Sequence, residues 1–283
     1  MANIRTIRRR IKSIGNIAKI TKAMEMVAAS KMKKAQERGL AGRPYAEKIQ
    51  QVIADLAALP EMRVHPLLQS RPVAKVAIVH ITPDRGLCGG LNTSINRSAA
   101  KFILEQSVPV TMITVGQKGQ DFMLRTHRDI CAEFSKMGDQ PSLLDTLPIS
   151  HIIIEEYGTE KIDMVYLSYA QFVSTAVQRP VLQQLLPIEP AVIPGAQNVE
   201  YIYEPDPNAV LGELLPRFVE MQVYHAILEA IASEQSARMV AMKNATDSAS
   251  ELIEDLSLLY NKARQESITT ELLDIAGGAA ALA

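Results

Sequence analysis

The residues best placed to do chemistry lie in the stretch Asp84-Arg85-Gly86-Leu87-Cys88-Gly89-Gly90-Leu91-Asn92, which follows an apolar run and opens a helical pattern. In an α/β protein that junction is where a glycine-rich loop cradles phosphate against a helix N-terminus. The spacing fits neither GxGxxG nor the Walker GxxxxGK[ST], because no Lys follows the glycines. A tight turn with positive φ is therefore the expected use of these glycines. Cys88 stands at the helix start, where a thiol can be made nucleophilic. No histidine-plus-acid set accompanies it, and a lone cysteine of this kind is expected in the core. Glu155-Glu156 and the Glu251, Glu254, Asp255 group have the residue types of an acid–base pair, but their helical setting reads as a solvated face. His65, His80, His127, His151 and His225 are scattered, without the close spacing of a metal pair. The expectation is no catalytic residue, no metal and no cofactor.

The elements around these residues fall into three segments, with expected bounds 1–59, 73–203 and 208–283. Between Ile4 and Leu59 the only proline is Pro44, and apolar or small residues recur at Ile4, Ile7, Ile11, Ile14, Ile17 or Ala18, Thr21, Met24, Ala28, Met32 and Ala35. Alternating steps of three and four are the heptad signature of a coiled coil. Small residues such as Ala28 and Ala29 let a partner helix approach closely. Gly15, Gly39, Gly42 and Pro44 are weak points where the helix can bend, and Leu59-Pro60 is the expected end.

From 73 to 203 the pattern changes. Runs at 74–82, 108–115 and 163–170 have the composition of buried strands, and helical stretches at 91–106, 117–126 and 142–157 lie between them. This alternation predicts an α/β layer with a mostly parallel sheet, and the Pro-rich 180–207 reads as an irregular strand and a linker. From Asn208 to about Ala276 a second long helix is expected, with Leu211, Leu215, Phe218, Gln222, His225, Ala232 and Met239 along one face. Leu252, Ile253, Leu256, Leu259, Tyr260 and Ala263 continue it, and Gly277-Gly278 ends it. At 1.5 Å per residue the terminal helices reach roughly 80 Å and 100 Å, whereas a globule of this length is only about 40 Å across. The predicted fold is an antiparallel two-helix coiled coil of the N- and C-terminal helices, with a Rossmann-like α/β domain inserted between them.

Composition agrees. The 283 residues are 47% hydrophobic, 22% charged and 5% aromatic, and no run approaches the roughly 18–20 uncharged apolar residues of a bilayer span. Cys88 and Cys131 form no CxxC pair, which reads as a reducing compartment without a disulfide framework. The formal net charge of −1 hides a gradient, because residues 1–38 carry eleven Lys and Arg against only Glu25 and Glu37. A helix so charged is expected to face an acidic partner. Such an N-terminus also reads as an organellar transit peptide, but the helical pattern runs past residue 50 without a cleavage-like break. Two other readings stay open on residues alone. One is a basic coiled-coil protein for nucleic acid or an anionic membrane surface, although residues 1–44 lack the aromatics used for base stacking. The other is an α/β enzyme with a helical arm.

Lys19–Lys34 reads KITKAMEMVAASKMKK, 84–92 reads DRGLCGGLN, and Ser233–Lys243 reads SEQSARMVAMK; SASELIEDLSLLYNKARQESIT and a GGAAA ending follow. Together these resemble the gamma subunit of F-type ATP synthase, of bacterial type, over essentially the whole chain. The resemblance implies a non-catalytic central-stalk rotor. Its terminal helices would thread a head of alternating alpha and beta subunits, and its α/β domain would meet the epsilon subunit and the membrane rotor c-ring. Nucleic acid is not an expected partner. Met24 matches the methionine facing the beta-subunit lever. Arg238, Arg264 and Gln265 match residues that interact with its region or with a beta loop that catches the shaft. Arg8 and Arg9 are expected among the cations facing the acidic head, and Tyr201, Tyr203 and Glu204 match the foot on the ring. The inserted segment with two regulatory cysteines found in plastid relatives has no counterpart here. The resemblance then implies peripheral placement on the cytoplasmic face of a bacterial plasma membrane.

Overall fold

The computed structural model describes residues 4–57, 65–189, 204 and 206–282. Helix α1 spans Ile4–Ala57 and α5 spans Pro207–Leu282. Between them lie β1 (Val76–Ile81), α2 (Leu91–Glu105), β2 (Val110–Val115), α3 (Gln117–Arg125), β3 (Asp129–Phe134), α4 (Leu143–Gly158), β4 (Met164–Phe172) and β5 (Gln178–Leu186). The chain forms two compact units, 29–238 and the pair 1–28 with 239–283, and each is described by itself.

The 29–238 unit is built on one sheet of order β3-β2-β1-β4-β5. β1, β2, β3 and β4 run parallel and β5 is antiparallel to β4. Side chains alternate between two cores, as the period of two requires. Val76 and Ile78 of β1 and Met112 of β2 pack with Ala99 and Ile103 of α2 and Met123 of α3. On the opposite face Ala77, Val79 and Ile81 join Ile113 and Val115, Ile149 and Ile153 of α4, Ile53 and Leu56 of α1, and Leu215, Val219 and Val223 of α5. Leu56, Leu215 and Val219 are 0% exposed, and burying each such side chain contributes roughly 1.5–3 kcal/mol. The ends of both long helices nearest the sheet are thus held as core elements.

Three expectations need correction. The 117–126 helix is followed by an unanticipated strand, β3, because its exposed and half-buried residues alternate at a sheet edge and its DICAEF composition is only weakly β-like. The irregular strand expected at 180–207 is β5, which starts earlier, at Gln178, and ends at Leu186, with a shift of register opposite Val165 and Tyr166. Gly277-Gly278 does not end α5, which runs to Leu282; glycine costs about 1 kcal/mol against Ala in a helix, and three alanines follow. Helix α1 is continuous through Gly15, Gly39, Gly42 and Pro44. The expected end at Leu59-Pro60 lies outside the described residues, as does most of the linker.

In the other unit the two helix ends pair. Thr21 Oγ1 and Thr246 Oγ1 are 2.7 Å apart, and a Cβ built on Gly15 would lie 4.0 Å from Ile253 Cδ1. As numbers fall along α1 they rise along α5, so the pair is antiparallel. Covered positions on α1 are Ile7, Ile11, Ile14, Ala18, Thr21, Met24 and Ala28, in steps of three and four. On α5 they are Met242, Thr246, Ala249, Ile253, Leu256, Tyr260 and Ala263. Ala18 rather than Ile17 is the seam residue. Leu252 and Leu259, expected on the seam, are 50% and 47% exposed, because a heptad stripe holds two positions per seven and each of these stands one place before a covered residue.

Candidate functional site

The glycine-rich loop is a structural junction. Leu87 and Gly89 have φ of 63° and 60°, the left-handed turn expected of the sequence. Asp84 sits beyond the carboxyl end of β1, where open α/β sheets bind ligands. Its Oδ1 accepts from the backbone N–H of Gln117 at the start of α3, at 3.0 Å, and its Oδ2 accepts from the N–H of Lys136, also at 3.0 Å. The N-terminus of α3 is therefore held by the chain's own carboxylate, whereas Gly90 at the start of α2 provides no side-chain cap. Gly116 closes the site further. Its φ is 98°, and a Cβ there would lie 1.8 Å from Thr82 O. Thr82 Oγ1 in turn accepts from the N–H of Gly119 at 2.7 Å.

Cys88 is 1% exposed and packs with Leu91, Ile95, Ala170 and Ala237. Burial raises its thiol, outweighing the attraction of Arg238, so it is a core residue and not an activated nucleophile. His80 is fully buried, with Nδ1 3.1 Å from Ser168 Oγ and Nε2 2.9 Å from Asn96 Oδ1. Burial lowers its pKa to about 4 against the hydrogen bond it donates to Asn96 Oδ1, so it is neutral and ties α2 to β1 and β4. Glu156 is paired with Lys161 at 2.7 Å, and Glu251, Glu254 and Asp255 are exposed. Among the described residues no group of three His, Cys, Asp or Glu is arranged to hold a metal ion, and no helix is long and apolar enough to cross a membrane.

What the 29–238 unit does present is a polar anchorage for both long helices. Ser233 and Ser236 of α5 are 0% exposed and Gln235 is 2% exposed. Ser233 donates to Ala170 O and Ser236 to Thr175 O, each at 2.8 Å. The loop after β3 meets both helices. Asp139 takes Lys31 Nζ at 2.7 Å on one oxygen and Gln235 Nε2 at 3.3 Å on the other, and Arg38 donates to Gln140 at 2.8 Å. Arg238 pairs with Glu234 at 2.6 Å and donates to Gly86 O at 3.2 Å. Sequence reasoning singled out Arg238 but not its intramolecular partners, and missed Lys31, Asp139, Ser233 and Gln235. The available signal was the run of small polar residues in an otherwise apolar helical stretch, SEQSAR.

In the paired-helix unit Arg8, Arg9, Arg10, Lys12 and Lys19 are exposed, without an ion pair among the described residues. Met24 is half-buried on the seam, while Arg264 and Gln265 are exposed. Beyond Gln265 the apolar residues Ile268, Leu272, Leu273 and Ile275 are 48–69% exposed. By the register of Thr21 with Thr246, Ile4 stands opposite a position near Arg264 on α5. Glu204 is exposed, and Tyr201 and Tyr203 lie outside the described residues.

The exposed cations of α1 and the exposed apolar side chains beyond Gln265 on α5 are surfaces on which a partner can dock. The comparisons name the family. The family model described as ATP synthase matches residues 3–282. ATP synthase gamma chains of Dehalococcoides mccartyi strain CBDB1 and Roseiflexus sp. strain RS-1 are 66% and 53% identical, covering 100% of this chain and 100% and 99% of their own lengths. The chain belongs to the ATP synthase gamma-chain family. Among solved structures, a chain of the Tetrahymena thermophila mitochondrial ATP synthase central stalk and c-ring is similar at 26% identity and a TM-score of 0.62, over 80% of this chain and 99% of that one. A chain from the Euglena gracilis mitochondrial ATP synthase, solved with OSCP, F1 and c-ring, shares the fold at 20% identity and a TM-score of 0.66, over 99% and 94%.

Proposed function

We propose that this chain is the central-stalk rotor of an ATP synthase, carrying torque between a membrane rotor ring and a catalytic head of alpha and beta subunits. The observation that carries this reading is full-length identity of 66% to ATP synthase gamma chains, in a chain whose terminal helices pair antiparallel. The chain itself is non-catalytic in this reading, since the residues that looked chemical are committed to folding. Asp84 caps α3, Cys88 is core, and His80 is neutral and hydrogen-bonded on both nitrogens.

Torque needs an asymmetric shaft, so that each like head subunit meets a different set of contacts and is shifted toward a different conformation. The helix pair supplies that asymmetry, with exposed cations on α1 and exposed carboxylates (Glu251, Glu254, Asp255) on α5. In this reading Arg8, Arg9, Met24, Arg264 and Gln265 contact the head. Arg238 is read as a head contact as well, and Ile268, Leu272 and Leu273 give the tip an apolar seat. Tyr201, Tyr203 and Glu204 contact the ring, and the α/β unit meets the epsilon subunit. The placement that follows is peripheral, on the cytoplasmic face of a bacterial plasma membrane. Reconstitution with alpha and beta subunits tests the proposal. ATP hydrolysis should depend on this chain, and a bead on its α/β unit should rotate. Equal activity without the chain would refute it.

A further inference from the structure

The 29–238 unit contains a cavity of about 820 Å³ between the β4–β5 edge of the sheet and the helices α1 and α5. That is within the range of small-molecule sites, about 300–1,000 Å³. One wall carries His225 and Glu229, four residues and so one turn apart on α5. Their Nε2 and Oε2 atoms are buried and make no well-formed hydrogen bond, although the Gly42 backbone lies against His225 and the Tyr169 hydroxyl against Glu229. Facing them, the Tyr169 hydroxyl donates to Gln183 Oε1 at 3.2 Å and lies beside the Glu229 carboxyl. The ring of Phe172 lines the same space.

The amides of Gln36, Gln50, Gln171, Gln183 and Gln222 can donate or accept, and Glu229 is the one described lining residue with an acidic side chain. Burial drives the imidazole of His225 toward its neutral form, so it brings no positive charge to Glu229. None of the described lining residues is Lys or Arg. Burial raises the half-buried Glu229 carboxyl, opposed by a hydrogen bond from Tyr169, because a carboxylate shielded from water without a counter-charge is costly; a cation delivered from outside favours its ionised form. Aromatic faces nearby favour the same sign of charge.

We propose that this cavity is a ligand site for a small amphipathic organic cation, an amidinium or alkylammonium on an apolar body. The positive head would pair with Glu229 and the body would lie against Tyr169 and Phe172. This goes beyond the rotor reading and does not depend on it.

Benzamidine is the probe, titrated into the full-length chain and followed by ligand-observed NMR and calorimetry. Neutral benzamide and anionic benzoate share its shape and serve as controls. The expected result is benzamidine binding with Kd of about 1 mM or tighter, and benzamide and benzoate at least about tenfold weaker, the equivalent of one charge-assisted pair. Glu229→Gln should weaken benzamidine about tenfold or more and leave benzamide unchanged. Gly39 lines the cavity, and a Cβ there meets nothing within 4 Å. Gly39→Phe therefore adds an aromatic ring at the cavity wall, replaces a poor helix former, and should abolish binding even if the Glu229 variant does not fold. The proposal is overturned by any one of three results: no benzamidine binding, benzoate binding as well as benzamidine, or Gly39→Phe binding like the parent.

Discussion

Replacing Arg238 with Met removes the charge that serves Glu234 while keeping most of the volume. The two side chains are 11% and 15% exposed and meet at 2.6 Å, and Arg238 also holds Gly86 O in the glycine-rich loop. Burial raises the Glu234 carboxyl, Arg238 opposes that, and Asp139 and Asp84 add to it. The variant leaves a buried carboxylate among like charges. Breaking one partner of a buried pair costs about 3–5 kcal/mol, and the residual exposure here points to about 3 kcal/mol. Since each 1.4 kcal/mol is tenfold, local opening should rise about 150-fold.

Native-state hydrogen exchange of the 84–90 amides is the suitable readout, because a chain of two units need not unfold in one step. The double variant Glu234→Gln/Arg238→Met should recover most of the protection. The pH dependence has a definite sign. A carboxyl whose folded-state pKa lies above its unfolded value binds more protons when folded, so it loses stability as pH rises through that interval. The single variant's deficit should be largest near pH 8 and shrink toward about pH 4, where the carboxyl is protonated in both states. Protection within twofold of the parent, or a double variant no better than the single, would refute the reasoning.

Three further outcomes follow from the same geometry. Thr21→Val and Thr246→Val should each destabilise the helix pair by only about 0.5–1.5 kcal/mol, because the hydroxyl that remains still donates to a carbonyl of its own helix, Ile17 O or Ala18 O for Thr21 and Met242 O for Thr246; thermal melts of the full chain measure this. Gly116→Ala should cost about 4 kcal/mol or more and yield insoluble chain, since its Cβ would overlap Thr82 O at positive φ. His80 is depressed to about 4 by burial. Its folded form therefore refuses a proton that the unfolded chain accepts below about pH 6.5. Stability should fall by up to about 3 kcal/mol between pH 6.5 and 4, with the slope reduced in His80→Gln. A denaturation midpoint independent of pH in the parent would contradict it.

Much of this protein was legible without coordinates because it is written in local period. Steps of three and four from Ile7 to Ala28 specify a coiled-coil helix, and β-branched runs alternating with helical stretches specify a parallel α/β layer, since each signal is a neighbour-to-neighbour property. The glycine-rich loop could be read as a turn because no Lys followed it. The edge strand β3 was hidden because half its side chains face water and its burial is set by neighbours far along the chain. The antiparallel register of Thr21 with Thr246, and the grip of Asp139 on Lys31 and Gln235, join residues about a hundred or more positions apart. The carboxylate of Asp84 reaches the start of α3 across 33 positions, and the cavity gathers Tyr169 of β4 with His225 and Glu229 of α5. Only the folded chain brings such partners within the few ångströms over which hydrogen bonds and ion pairs act.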